Sequence, residues 1–259
     1  MKHSFLDKYS DQDSMIHWLD PRTKLITTFF FIIAVALTPP DGWLSYALYL
    51  AILAAWLLLS RVPIGYVFKR TLVVFPFVVM IAIFIPFFHE GQVAGSYNIW
   101  LWQVSVTHSG IVILRNILVR AWLSILSLII LTSTTRMPDL LRGLEQLYMP
   151  KVMVMLLSFM YRYTFVFYDE VMRMKQARDS RNFGGRRLWQ MQIVGNMIGT
   201  LFIRAYERGE RVYAAMVARG FDGHSRTLKC LRFKLTDACF ILSVTLLVVL
   251  SSLINLVII

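Results

Sequence analysis

Two short runs, Ala177-Arg178-Asp179 and Ala218-Arg219-Gly220, combine residue types that suit docking rather than catalysis. A small Ala lets a partner surface come close, and an arginine offers five donors in a planar fork that fits carboxylates or backbone carbonyls. A glycine then ends the helix so that its tip can enter a groove. Each run leads into a helix-stop signal, Asn182-Phe183-Gly184-Gly185 after the first and Phe221-Asp222-Gly223 after the second. A cation in the last turn also meets the negative end of the helix dipole. The repeated context separates Arg178 and Arg219 from Arg181, Arg204, Arg208 and Arg211, for which a solvated or headgroup-facing side is explanation enough.

The elements that must carry these tips are helices. One is expected to start at Met137-Pro138-Asp139, another at Pro150, and the run from 151 to 167, apolar but interrupted by Arg162, leads without a break into Arg173, Lys175, Arg178 and Arg181. This run lies on the membrane surface or adds a sixth or seventh crossing. A second helix is predicted from about Trp189 to Arg219. At 100° per residue it sets Arg204, Arg208, Arg211 and Arg219 on one side and Phe202, Tyr206, Gly209, Tyr213 and Met216 on the other. Glu207 and Arg211, four apart, form a supporting pair worth about 0.2–0.5 kcal/mol. Ten of the 13 methionines fall between Met137 and Met216, where flexible thioethers suit a repacking surface or simply fill helix interfaces.

The setting is a bilayer: 57% of the 259 residues are hydrophobic and the mean hydropathy is +0.60. Apolar runs at 25–37, 43–59, 71–88, 111–131 and 235–259 approach the length needed to cross. The first is short, with Arg22 and Lys24 expected to snorkel to the interface. Basic residues are strongly asymmetric. The 39–42 turn and the 89–109 loop hold no Lys or Arg, whereas residues 134–234 hold 18 of the 27 against 8 acids, giving +10 of the net +12. The positive-inside rule then puts the amino terminus in the cytoplasm and, with five spans, the carboxyl terminus outside. The expected organisation is 1–134 with four spans, a cytosolic or interfacial domain at 135–234, and a last span at 235–259. This is an all-α polytopic membrane protein of about five helices, five to seven in range, with a basic coupling-helix domain before the last span.

Little else offers chemistry. No Gly-x-x-x-x-Gly-Lys-Ser/Thr phosphate loop occurs. His3, His17, His89, His108 and His224 are scattered without ligand spacing and read as surface or capping residues, so no metal is expected on the chain. Cys230 and Cys239 read as packing residues. No cleavable signal peptide is expected, since the first twenty residues carry Asp7, Asp11, Asp13 and Asp20 and lack an apolar core. Arg115 and Arg120 stand in the fourth span, where a buried cation suggests function; the bland alternative is that both snorkel, or that the span begins near Arg120 with 111–114 as an interfacial turn. Pro76 and Pro86 are expected to bend the third span.

The chain resembles the transmembrane T component of energy-coupling factor transporters, specifically the cobalt-type Q subunit. The resemblance rests on Arg204-Ala205-Tyr206-Glu207-Arg208-Gly209-Glu210-Arg211 leading into Ala218-Arg219-Gly220-Phe221-Asp222-Gly223. It also rests on Leu6-Asp7-Lys8-Tyr9, Asp13-Ser14, His17 and Leu19-Asp20-Pro21-Arg22-Thr23-Lys24-Leu25 near the amino terminus. The first coupling motif departs from a full Ala-Arg-Gly because Asp179 follows Arg178.

The resemblance implies a non-catalytic subunit between a pair of cytosolic ABC-type ATPases, which bind ATP and Mg, and a small substrate-binding membrane subunit. Arg178 and Arg219 would contact acidic residues in ATPase grooves, with Ala177, Ala218 and Gly220 permitting close fit. Arg181, Arg204, Arg208, Arg211, Asp222 and Gly223 would serve as secondary contacts or structure. Cobalt is the favoured substrate, with nickel or a vitamin as alternatives. Two other classes remain in view. A lipid-active enzyme would need convergent His and carboxylates that the spans lack, and a basic anchor for anionic lipid would be insensitive to reversal of single charges. Nucleic acid is not expected as a partner.

Overall fold

In a computed structural model, residues 14–40, 42–85, 93–99, 102–181, 187–223 and 233–258 are described. Leu6 to Asp13, His3, Pro86, His89, Asn182-Phe183-Gly184-Gly185, His224 and Cys230 lie outside them.

The fold is helical, as expected, apart from one hairpin. Eight helices are present among the described residues: α1 (Pro21–Leu37), α2 (Trp43–Ser60), α3 (Ile64–Ala82), α4 (His108–Thr134), α5 (Met137–Gln146), α6 (Lys151–Ser180), α7 (Arg187–Ala218) and α8 (Leu235–Ile258). Between α3 and α4 the antiparallel strands β1 (Val93–Ile99) and β2 (Trp102–Thr107) pair, with Ile99 opposite Trp102 and Tyr97 opposite Val104. The hairpin replaces the loop expected at 89–109.

Chain punctuation explains the boundaries. Asp20 caps α1 by accepting the Arg22 amide at 3.0 Å, and Pro21 opens the helix where no amide partner is needed. Pro63 precedes α3, so that helix begins at Ile64 rather than near Thr71 and takes in Lys69 and Arg70. Pro76 sits inside α3. The fourth span also begins earlier than its apolar core: residues 111–114 are helical, and Arg115 and Arg120 lie within the continuous α4.

The chain divides into two compact units, one of Ser4–Gly143 with Leu231–Ile259 and the other built on Leu144–Cys230. In the first, α4 packs on α1, α2 and α3, and α8 packs on α1 and α2. Phe31, Tyr49, Trp56, Leu123 and Val244 fill the centre, with the Phe31 ring edge-on to Tyr49 at 5.5 Å and Trp56 stacked beside Phe240 at 5.4 Å. Small polar side chains join the helices closely: Ser45 Oγ donates to the Ser251 carbonyl at 2.9 Å, and Ser251 Oγ to Tyr49 Oη at 2.9 Å.

Among the described residues four helices are long and apolar enough to cross a membrane, namely α2, α3, α4 and α8. This is a multi-pass membrane protein. At 17 residues α1, one of the five expected spans, falls short of that length; it nevertheless contributes the fully buried Phe31 and Val35 to the same core. The second unit contains α6 and α7, both long enough to cross but neither apolar enough. In α6, Arg162 is exposed.

Candidate functional site

The two arginine-bearing tips belong to one unit, each at the end of a long helix. The sequence from Lys151 onward has no breaker until residue 181, so α6 runs 30 residues and places Arg178 in its last turn. Ala177 is exposed and Arg178 half-buried. Asp179, the departure from the repeated pattern, takes the fork: Oδ1 accepts from Arg178 Nε at 3.0 Å and from Nη2 at 2.8 Å. The guanidinium of Arg178 is therefore pre-oriented by a carboxylate that a partner acid would have to share or displace. Arg181, just past the helix, is exposed.

The second tip is built differently. Gly220 takes φ +78, which lets the Gly220 amide reach the Val217 carbonyl at 2.9 Å and the Phe221 amide reach Met216 at 3.1 Å. This paired closure satisfies carbonyls left open at the helix end and makes Arg219 the capping residue of α7. Ala218, Arg219 and Gly220 are all exposed, and nothing lies within 4 Å of where a Gly220 side chain would start. Glycine is required there by backbone conformation rather than by crowding. Gly223, at φ +85, repeats the left-handed geometry after Asp222.

Between the tips, the structure corrects which arginines are structural. Arg204 of α7 pairs with Glu170 Oε1 of α6, and Arg173 Nη2 holds Oε2 of the same carboxylate at 2.9 Å. The hydrogen bond from Arg204, with the nearby charge of Arg173, holds the Glu170 carboxyl below the usual glutamate range. Arg211 pairs with Glu207 at 3.6 Å, as four-residue spacing predicts. The face assignment for α7 changes. Its half-buried stripe is Ile193, Met197, Leu201, Ala205, Arg208, Val212 and Met216, following the three-and-four spacing of one helix side. Arg208 thus lies on the packed stripe rather than with Arg204 and Arg211, whereas Phe202, Tyr206 and Tyr213 are exposed.

A second polar cluster, in the other unit, was not recognised in the sequence. Lys24 does not snorkel. It is 5% exposed and its Nζ donates to the carbonyls of Thr134 at 3.0 Å and His17 at 3.3 Å, with Asp20, Asp139 and Asp237 near enough to act on its charge. Asp237, 1% exposed in the first turn of α8, accepts the amides of Asp20 and Lys234, both at 2.8 Å. Gly143 of α5 brings its backbone against the start of α1, where a Cβ would meet Leu25 Cδ1 at 3.1 Å. The run Asp20-Pro21-Arg22-Thr23-Lys24 is therefore a junction joining α1, α4, α5 and α8. The signal available was a lysine opening an apolar helix beside a capping aspartate.

Arg115 and Arg120 are likewise engaged. Arg115 stacks over the Trp43 ring at 4.3 Å, and Arg120 donates to Tyr46 Oη at 3.0 Å and to the Thr38 carbonyl. Cys239, expected to pack, is exposed on α8. Among the described residues no group of three His, Cys, Asp or Glu side chains is arranged to hold a metal ion.

Residues 12–229 match the sequence pattern of a family described as CbiQ, cobalt transport protein. The chain is 29% identical to the energy-coupling factor transporter transmembrane protein EcfT of Listeria innocua, over 95% of this chain and 96% of that one. It is 26% identical to the protein of the same name from Lactococcus lactis, covering 96% and 97%. With that of Limosilactobacillus fermentum the identity is 30%, covering 81% of each.

Proposed function

This chain belongs to the cobalt transport protein family CbiQ, and from that membership we propose that it is the transmembrane coupling subunit of an energy-coupling factor importer. It transmits the ATP-driven motion of two cytosolic ABC-type ATPases to a substrate-binding membrane subunit. ATP and Mg are held by the ATPases, and this chain works by force and contact, without catalysis. The observation that carries the reading is the exposed Arg219, fixed by the Gly220 closure at the end of the 32-residue α7. A cation on a rigid rod, with a bare Ala before it and glycine after it, is suited to a groove lined by acids.

Arg178 takes the matching role on α6, and the Glu170 pairing of Arg204 and Arg173 ties the two rods so that they move together. The basic residues Arg61, Lys69, Arg70 and Lys234 support the assignment of their side to the cytoplasm, with the amino terminus there and the carboxyl terminus outside. Residues 135–234 form the cytosolic or interfacial part, a reading supported by the separate compactness of Leu144–Cys230. Cobalt is the transported substrate, supported by the description of the family; nickel or a vitamin is the second reading, since the relatives' names state no substrate.

Tagged chain purified from its native membranes should bring down an ATPase pair and a small membrane subunit, and the Arg178→Glu, Arg219→Glu variant should not. Accumulation of cobalt rather than nickel in the same cells identifies the substrate. Recovery of no ATPase with the natural sequence would remove the coupling reading.

A further inference from the structure

We propose that the groove between α2, α8 and residues 14–19 binds one anionic phospholipid, its phosphate on Arg61 and Lys234 and its acyl chains along the apolar wall. This inference rests on the chain being a membrane protein and is independent of the coupling role. The groove encloses about 1140 Å³, above the range of roughly 300–1,000 Å³ typical of small-molecule sites, and is walled by Trp18, Leu58, Leu59 and Phe240. Among the described residues its two charged lining side chains, Arg61 and Lys234, are both cations. The neighbouring Asp237 faces inward, with its oxygens committed to the amides of Asp20 and Lys234.

The rim is shaped for an anion held at the level of the headgroups. Arg61 caps α2 in a left-handed backbone conformation, φ 54, where glycine would sit with less strain, and its side chain is exposed at the helix end. Lys234 stands immediately before α8, with Nζ 6.0 Å from the centre of the Trp18 ring. An indole prefers the membrane interface, and Trp18 is 70% exposed here. Two cations over an apolar cleft between membrane helices complement a phosphodiester carrying net negative charge. A zwitterionic lipid offers the same phosphate but brings its own ammonium.

The full chain, purified in a neutral detergent, is titrated by native mass spectrometry with phosphatidylglycerol, with phosphatidylcholine of the same chains, and with soluble glycerol 3-phosphate. Retention of one phosphatidylglycerol, with weaker phosphatidylcholine and no glycerol phosphate, is expected. Arg61→Gln with Lys234→Gln should lower phosphatidylglycerol affinity about thirtyfold. Ser243→Trp, which narrows the groove and leaves both charges in place, should block the lipid as well. The inference fails if both lipids bind equally, if glycerol phosphate binds as well as the lipid, or if the double variant keeps full affinity. It fails too if Ser243→Trp, folded by its unchanged melt, binds normally, or if the natural chain takes up no phosphatidylglycerol because a protein segment occupies the groove.

Discussion

Lys24, near the start of α1, donates from Nζ to the carbonyl of Thr134, the last residue of α4, at 3.0 Å. At the other end of the same antiparallel pair, Arg120 of α4 donates to the carbonyl of Thr38, the cap of α1. Each cation meets the negative end of the other helix and satisfies a carbonyl that helix leaves open. Lys24 to Thr38 and Arg120 to Thr134 are equal spacings, about 21 Å at the helical rise. The two contacts therefore lock α1 and α4 in one register.

Replacing Lys24 by Met should lower stability by about 3 kcal/mol, because it strips the buried carboxylates of their cation and leaves the Thr134 carbonyl unpaired. Lys69, exposed on α3, is the control: Lys69→Met should change stability by no more than about 0.5 kcal/mol. Melting of the detergent-solubilised protein, followed by circular dichroism, separates the two.

Arg120→Leu removes the donor to Thr38 and Tyr46 and should cost about 2 kcal/mol, whereas Arg120→Lys, which retains a charge able to reach one acceptor, should cost less. Equal melts for the two variants would show that the charge at this position contributes nothing to the helix pair.

Glu170 should titrate below the ordinary glutamate value of about 4.5, since the Arg204 hydrogen bond favours its ionised form. A carboxyl depressed in the folded state stabilises above its unfolded value and loses that contribution as pH falls through the folded one. The α6–α7 tie thus persists at neutral pH and is lost only in acid. Carbon-13 NMR of labelled glutamate reads the midpoint directly, and Arg204→Met should raise it.

Gly220→Ala forces a side chain into φ +78 and should destabilise by about 1 kcal/mol. Gly195, inside α7 with open space around its missing side chain, gives the opposite sign: Gly195→Ala should stabilise by about 0.5–1 kcal/mol. The two melts compared test whether Gly220 is held by conformation.

Helix ends were readable because their signals are local. Pro138 and Pro150 mark the starts of α5 and α6, and the glycine after Arg219 marks the end of α7, since each acts through its own backbone. The Glu207–Arg211 pair followed from spacing for the same reason. What escaped depends on residues distant in the chain. Lys24 looked like an interfacial lysine because its partners are 110 and 213 positions away, at Thr134 and Asp237. Glu170 gave no sign that it would hold Arg204, 34 residues on. The half-buried side of α7 runs through the small Ala205, while the larger Phe202, Tyr206 and Tyr213, which side-chain size alone would place inside, are exposed. The placement of Arg178 and Arg219 at helix ends is legible in the sequence, while the half-burial of Arg178 and its capture by Asp179 are not.

The most direct test of the coupling account is ATP-driven uptake in vesicles reconstituted with the full complex, comparing the natural chain with Arg178→Glu, Arg219→Glu. The account predicts that the variant inserts and melts normally yet loses at least about tenfold of ATP-dependent uptake, as expected when charge-assisted contacts are reversed to like charges. Full uptake with both arginines reversed would contradict it.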